Sequence, residues 1–252
     1  ESAFISEIVW TSSGKVKEII RQVGSTLPDL EFSYNSNGDR ICKIVKDKDS
    51  SGNLVSPKHW DYHHYVRDAS GNTMATYTQN LAHIGSSQHI ELHLKEQYIF
   101  GSERLGTRNA NLLTTKFPYI QIPGGQPVLS PFYTNIDLIE GEVQTENFGS
   151  KSYELSDYLG NITTVISDKG MYDTIDSLQV DVRSSQDYYP FGMQMPGRSF
   201  SSENYRYGFN GQEKVDEIAG AGNHTTATFW EYDTRIGRRW NLDPVDQISI
   251  SN

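Results

Sequence analysis

The chain has 252 residues, with 22 Lys and Arg, 32 Asp and Glu, and a formal net charge of −10. That balance argues against a binder of nucleic-acid backbones, which needs surplus Lys and Arg to displace counterions. Its 15 Tyr, 10 Phe and 4 Trp argue for a packed core, and a single cysteine, Cys42, excludes an internal disulfide framework and a cysteine-based zinc cluster. The length allows one large domain or two small ones, and no run approaches the ~18 apolar residues of a membrane helix.

The chain opens Glu1-Ser2-Ala3-Phe4, with no Met and no basic stretch ahead of an apolar core, and closes Ile248-Ser249-Ile250-Ser251-Asn252. The expectation is a piece of a longer polypeptide with no signal peptide of its own. Phe4 to Trp10 reads as a first strand. Val16 to Arg21 fits a helix or a strand equally. Arg40 to Lys46, Thr73 to Tyr77, Ile162 to Ser167 and Thr225 to Tyr232 are short runs rich in Val, Ile, Thr, Tyr and Phe, punctuated by Gly, Asn, Asp and Ser. In Ile90 to Lys95 apolar and polar residues alternate, the period of a half-buried strand. Gly106 to Ser150 holds Pro118, Pro123, Pro127 and Pro131 and predicts an irregular excursion, because proline removes a ladder donor. Asp187 to Gly192 predicts a further turn. The class is all-β.

A repeated unit runs through these strands. Trp10-Thr11-Ser12-Ser13-Gly14-Lys15, Tyr34-Asn35-Ser36-Asn37-Gly38-Asp39, Arg67-Asp68-Ala69-Ser70-Gly71-Asn72 and Ser156-Asp157-Tyr158-Leu159-Gly160-Asn161 share one form, and Tyr232-Asp233-Thr234-Arg235-Ile236-Gly237-Arg238 is a longer variant. Asp, Asn or Thr opens each turn, where its side chain accepts from backbone N–H groups two residues on. Gly closes it, where a positive φ is wanted. Gly14, Gly38, Gly71, Gly160 and Gly237, with Asp233, are therefore the turn positions. Each unit predicts a β-hairpin, and stacked hairpins cover one another's open edges.

The C-terminal third is denser in motif. It runs Tyr188-Tyr189-Pro190-Phe191-Gly192-Met193, then Tyr205-Arg206-Tyr207-Gly208-Phe209-Asn210-Gly211-Gln212-Glu213-Lys214, then Tyr232 through Arg239-Trp240-Asn241-Leu242-Asp243-Pro244. With the turn units, this resembles the tyrosine-aspartate (YD) repeats and the repeat-associated core of the Rhs family, in wording similar to Bacteroidetes members. The resemblance implies stacked YD hairpins forming part of a spiralling hollow β-shell, capped by a core domain that curls inward. It implies residues 1–152 as shell, with the insertion near 106–150, and 153–252 as core or plug. In bacterial members a variable toxin follows the core, and in many the core cleaves itself using aspartates in Asp-Pro-x-Gly motifs. Asp243-Pro244-Val245-Asp246 stands at the place of the first such motif, with Asp246 in place of the expected Gly. Aspartyl chemistry needs two carboxylates sharing a proton, so Asp243 is the candidate catalytic residue and Asp246 a poorer second. The other reading of Asp243 is a turn cap paired with Arg238 or Arg239.

In the core, Tyr205, Tyr207 and Phe209 are expected on one strand face and Trp230 and Tyr232 on another, packed with Trp240 into one aromatic cluster. Arg235, Arg238 and Arg239 are expected to pair with carboxylates such as Asp233. His89, Glu91 and His93 share a strand face, but same-face neighbours lie ~7 Å apart, too wide to share one metal ion unaided; His59, His63 and His64 read as a polar face. No metal or other cofactor is expected. Cys42 reads as a buried structural residue.

The function this points to is a shell and delivery module for a C-terminal toxin in interbacterial competition, secreted or at the bacterial surface. Its implied partners are upstream repeats, the chain's own toxin domain, and an immunity protein or secretion component. The alternative is a surface adhesion or carbohydrate-binding module whose Tyr and Trp stack on sugars. A free-standing hydrolase has no supporting constellation.

Overall fold

The computed structural model describes residues 4–84, 87–118, 137–138, 148–172, 178–202, 205–227 and 230–241. Thirteen strands form one antiparallel sheet: β1 (Ile5–Trp10), β2 (Val16–Arg21), β3 (Asp29–Tyr34), β4 (Arg40–Lys46), β5 (Asp61–Arg67), β6 (Thr73–Ile84), β7 (Ser87–Phe100), β8 (Arg104–Pro118), β9 (Asp137–Leu138), β10 (Lys151–Ser156), β11 (Ile162–Tyr172), β12 (Leu178–Tyr188) and β13 (Gln194–Ser201). The order is sequential from β1 to β8 and from β10 to β13, with β9 and β10 both pairing with β8. A meander of this kind follows from short connections, which place each strand against its predecessor. The helical elements among the described residues are α1 (Asp216–Ala219) and two 3₁₀ turns, Pro57–His59 and Phe209–Gly211. The fold class is all-β.

Val16 to Arg21, ambiguous by periodicity, is strand β2, with Val16, Ile19 and Arg21 buried. The region from Gly106 begins as regular strand, since β8 runs to Pro118; 119–136 and 139–147 lie outside the described residues. The sheet continues through position 152/153, which falls inside β10.

Five hairpins share one turn: Thr11 to Lys15, Asn35 to Asp39, Asp68 to Asn72, Asp157 to Asn161 and Tyr189 to Met193. In each, the N–H of the fourth residue, always Gly, donates to the carbonyl of the first at 2.8–3.1 Å, and the first residue's N–H donates to the carbonyl of the fifth at 2.7–2.9 Å. The five glycines have φ between +73° and +88°. This is a type I turn closed by a glycine bulge, and the ladder shifts register beside every copy. In two copies the opening carboxylate does more. Asp68 Oδ1 accepts from the N–H groups of Ser70 and Asn72, and its Oδ2 from Asn72 Nδ2, at 2.8–2.9 Å. Asp157 repeats this with Leu159 and Asn161.

Alternate connections of an antiparallel meander lie at the same end, so these turns form one rim. They touch along it: Lys15 Nζ donates to the Gly38 carbonyl, and Arg67 Nε donates at 2.9 Å to the carbonyl of Arg40, which directly follows the Asn35 to Asp39 turn. A sixth copy, Asp49 to Asn53, was not among the units read from sequence; it closes a small loop inside the β4–β5 connection. The Gly237 turn is a different, longer one, with the Gly237 N–H donating to the Asp233 carbonyl at 2.9 Å.

After β13 the chain leaves the sheet and folds back over one face. A second sheet, β14 (Glu213–Lys214), β15 (His224–Thr226), β16 (Glu231–Asp233) and β17 (Arg238–Arg239), lies in this segment. The run Thr225 to Tyr232, expected as one strand, is a hairpin, β15 pairing with β16. Two apolar clusters join the segment to the large sheet. Val215 and Ile218 pack on Val16, Ile19, Leu30, Phe32 and Val45 of β2 to β4. Tyr205 and Tyr207 pack on Tyr98 of β7 and on Ile162 and Val165 of β11. Each such aliphatic side chain contributes about 1.5–3 kcal/mol by burial.

Candidate functional site: the seam under the C-terminal segment

Between the two apolar clusters the seam is charged. Arg206 reaches Glu96 of β7 at 3.2 Å with Nη1, and its Nη2 pairs with Glu213. The Tyr65 hydroxyl of β5 donates to the same Glu213 carboxylate at 3.0 Å. Arg40 of β4 pairs with Glu231, whose second oxygen lies 2.9 Å from His224 Nε2. Lys43 of β4 meets Glu217 of α1 at 2.6 Å. Arg104 Nε bonds Glu154 at 2.8 Å, while its guanidinium lies over the Tyr207 ring, 3.6 Å from the centroid. Tyr205 donates to Glu154 at 2.6 Å. The Tyr98 and Tyr207 hydroxyls hydrogen-bond, with their rings edge to face at 5.7 Å.

Burial in such a place costs each charge its hydration, and the pairs hold only because each carboxylate faces a cation. Burial alone would raise the Glu213 carboxyl; Arg206, Lys43 and Arg40 outweigh it and hold it at about 2. Glu231 is likewise lowered against its burial by Arg40 and His224. Burial raises the Tyr65 and Tyr207 hydroxyls, so both stay protonated donors. Burial, then Lys43 and Arg206, push His63 of β5 down to about 3. Among the described residues, Glu96, Glu154, Glu213, Glu217 and Glu231 of this seam are each engaged by a cation. A cleft of about 700 Å³ opens between the rim and the segment, lined among others by Lys15, Arg67, Asp68, Arg104, Trp230 and Asn241.

The sequence-derived residues fall as follows. Gly14, Gly38, Gly71, Gly160 and Gly237 all have positive φ. Tyr205 and Tyr207 are buried together, but Phe209 begins a 3₁₀ turn instead of continuing a strand, and its ring lies 5.8 Å from Tyr188. The aromatics form separate contacts instead of one cluster: Trp230 lies under Arg239 at 3.8 Å, and Trp240 sits 4.4 Å from the His224 ring. Tyr232 donates to the Phe191 carbonyl at 3.1 Å. Arg235 pairs with Asp233 at 2.7 Å, as expected of it, whereas Arg239 stacks on Trp230 and Arg238 is exposed on β17. Asp243 and Asp246 lie outside the described residues. Glu91 bridges His89 and His93 at 3.0 and 3.1 Å, and no group of three or more metal-ligating side chains converges among the described residues. Cys42 is half-buried, and burial followed by Glu31 raises its thiol to about 11, so it is a poor nucleophile.

The seam's charged residues were not singled out from sequence. The available signal was the placing of Arg206 and Glu213 inside an aromatic run, and of Arg40 and Lys43 among Ile41, Cys42, Ile44 and Val45.

No family model matches the chain, and no curated protein does. Among solved structures it is similar to TcdB2-TccC3, with a TM-score of 0.49 and 14% identity over 95% of this chain and 9% of that one. It is also similar to a Photorhabdus luminescens Tc holotoxin pore with a substituted TccC3, with a TM-score of 0.44 and 14% identity over 93% of this chain and 8% of that one. The chain thus spans less than a tenth of the length of either. No helix of the described residues is long and apolar enough to cross a membrane.

Proposed function

We infer that the chain is the closing end of a β-shell: the described residues up to 202 form wall, and the described residues from 205 to 241 form a cap held on it. The observation that carries this is the fold-back, in which one segment crosses a face of the sheet from β2 to β11 and is tied down by buried and half-buried ion pairs. The division of the chain at 152/153 rests on the Rhs resemblance; the architecture itself changes near Tyr205. In this reading upstream repeats extend the wall, a toxin domain follows the cap, and the assembly acts outside the producing bacterium, with an immunity protein or secretion component as further partner. For the carbohydrate-binding alternative, the cap's Trp230 stacks with Arg239 and Trp240 with His224, while Trp10, Tyr158 and Tyr189 stay exposed.

The test uses the full-length precursor. The domain after the cap is expected to resist added protease until the shell is denatured; immediate digestion of that domain overturns containment. The self-cleavage that the resemblance attaches to Asp243 is read from the same gels: Asp243→Asn is expected to leave an intact precursor, and unchanged fragments would leave this aspartate as a turn cap.

A further inference from the structure

His63 stands in the middle of the seam. On β5 it pairs in register with Lys43 of β4 and Thr78 of β6. The charged groups that face it are Lys43 of β4, Arg206, Glu213 of β14 and Glu217 of α1. On β6 its neighbour is uncharged Thr78, and the next strand brings His93, held by Glu91 at 3.1 Å. Both facing carboxylates are already committed: Glu217 to Lys43 at 2.6 Å, and Glu213 to Arg206 and the Tyr65 hydroxyl. A third cation in this space has two cations beside it, and the other carboxylate of this face, Asp61 two residues before it on β5, stands exposed at the strand's end beside Lys43 and Glu217.

We propose that the seam is an acid-opened latch, in which protonation of His63 releases residues 205–241 from the sheet. The direction follows from linkage. In the closed seam His63 is held at about 3 by burial, Lys43 and Arg206; in water an imidazole titrates near 6.5. The closed state therefore binds fewer protons, and its advantage is lost as pH falls below the open-state value. Taking the pH from 7.5 to 5 multiplies the open-to-closed ratio by about 30. Glu213, Glu217 and Glu231 are all lowered in the closed state. They push the same way, but only once the pH falls below the ordinary carboxylate range of about 4.3. Between about 6.5 and 4.5 the lowered imidazole on the seam face of β5 is His63; His64, also lowered by burial, sits on the strand's other face. The latch works whatever lies beneath the cap.

Amide exchange reads it directly, as protection normalised to the intrinsic rate at each pH. Between pH 7.5 and 5, peptides from 205–241 are expected to lose protection about 30-fold, while β3 and β4 keep theirs. In His63→Gln the loss over that window disappears and only the fall below about pH 4.5 remains. Unchanged wild-type protection at 205–241, or the same loss in His63→Gln, overturns the latch. Should the variant not fold, the wild-type His63 imidazole is followed by NMR. Resonances that stay neutral in the closed form down to pH 5 support the proposal, and titration near 6.5 with the cap still closed overturns it.

Discussion

Gly160 and Gly52 have nearly the same backbone, with φ of +82° and +81°, yet different surroundings. A Cβ at Gly160 would meet nothing within 4 Å, while one at Gly52 would lie 2.8 Å from the backbone of Gly24. Gly160→Ala is therefore expected to cost about 1 kcal/mol, the left-handed conformation alone, and Gly52→Ala clearly more, because backbone must move. Gly38→Val falls between: its φ is +83°, and the obstacle at 2.7 Å is the flexible end of Lys15. Thermal or urea melts of the three variants give the ranking, and equal losses would remove the crowding argument. The turns were legible because Asp, Asn or Thr and a Gly three residues on state their chemistry locally. Asp49 to Gly52 has the same form, but it joins no two long strand runs and so lacked the flanking pattern. The carboxylates of Asp68 and Asp157 are lowered, first by the side-chain bond from Asn72 or Asn161. Their support for the turns is present above the ordinary Asp range and fades as pH falls through the lowered values.

Among the elements, β-rich composition and alternation located strands of the wall well: Arg40–Lys46, read from composition, is β4 residue for residue, and Ile90 to Lys95, read from alternation, lies inside β7. Pattern misled where local chemistry has two outcomes. Thr225 to Tyr232 has β-forming residues throughout, but the ladder folds on itself and pairs Thr226 with Glu231. Tyr205, Tyr207 and Phe209 have strand spacing, but Gly208 breaks the run with φ −160° and ψ −119°, and a 3₁₀ turn follows. Trp240, just beyond β17, is where the cap's small sheet meets the wall. Its ring touches the fully buried His224, and its side chain packs on the cluster around Ile19 and Leu30. Trp240→Ala is expected to cost about 3 kcal/mol, at the low end for a large aromatic because the ring is half-buried. Added protease should then cut within 205–241 while the wall strands survive; a variant as resistant as the wild type would place Trp240 outside the closure.

Over the whole molecule the decisive contacts are those that local pattern cannot carry. Arg206 meets Glu96 across 110 positions, and Arg40 meets Glu231 across 191. Nothing in either neighbourhood specifies the other, whereas the burial of Arg40 with Glu231 and the half-burial of Arg206 with Glu96 favour the pairing once the segment folds back. Arg206 is the most connected of these charges, touching Glu96, Glu213 and Tyr65. Arg206→Met keeps the stem but leaves two carboxylates facing each other in a desolvated seam. A cost of about 3 kcal/mol or more is expected from the uncompensated charge, and the lost cation no longer holds Glu213 low. That carboxyl then titrates upward, so the variant's deficit should shrink as pH falls toward the ordinary Glu value and Glu213 takes a proton. Adding Glu213→Gln removes one of the stranded charges and should recover most of the loss at neutral pH. Urea melts of the two variants at pH 7 and pH 5 separate the causes. Recovery in the double variant identifies stranded charge as the source of the loss; no recovery would mean that the guanidinium acts by filling space over Tyr65, and that the cap is held by its apolar clusters alone.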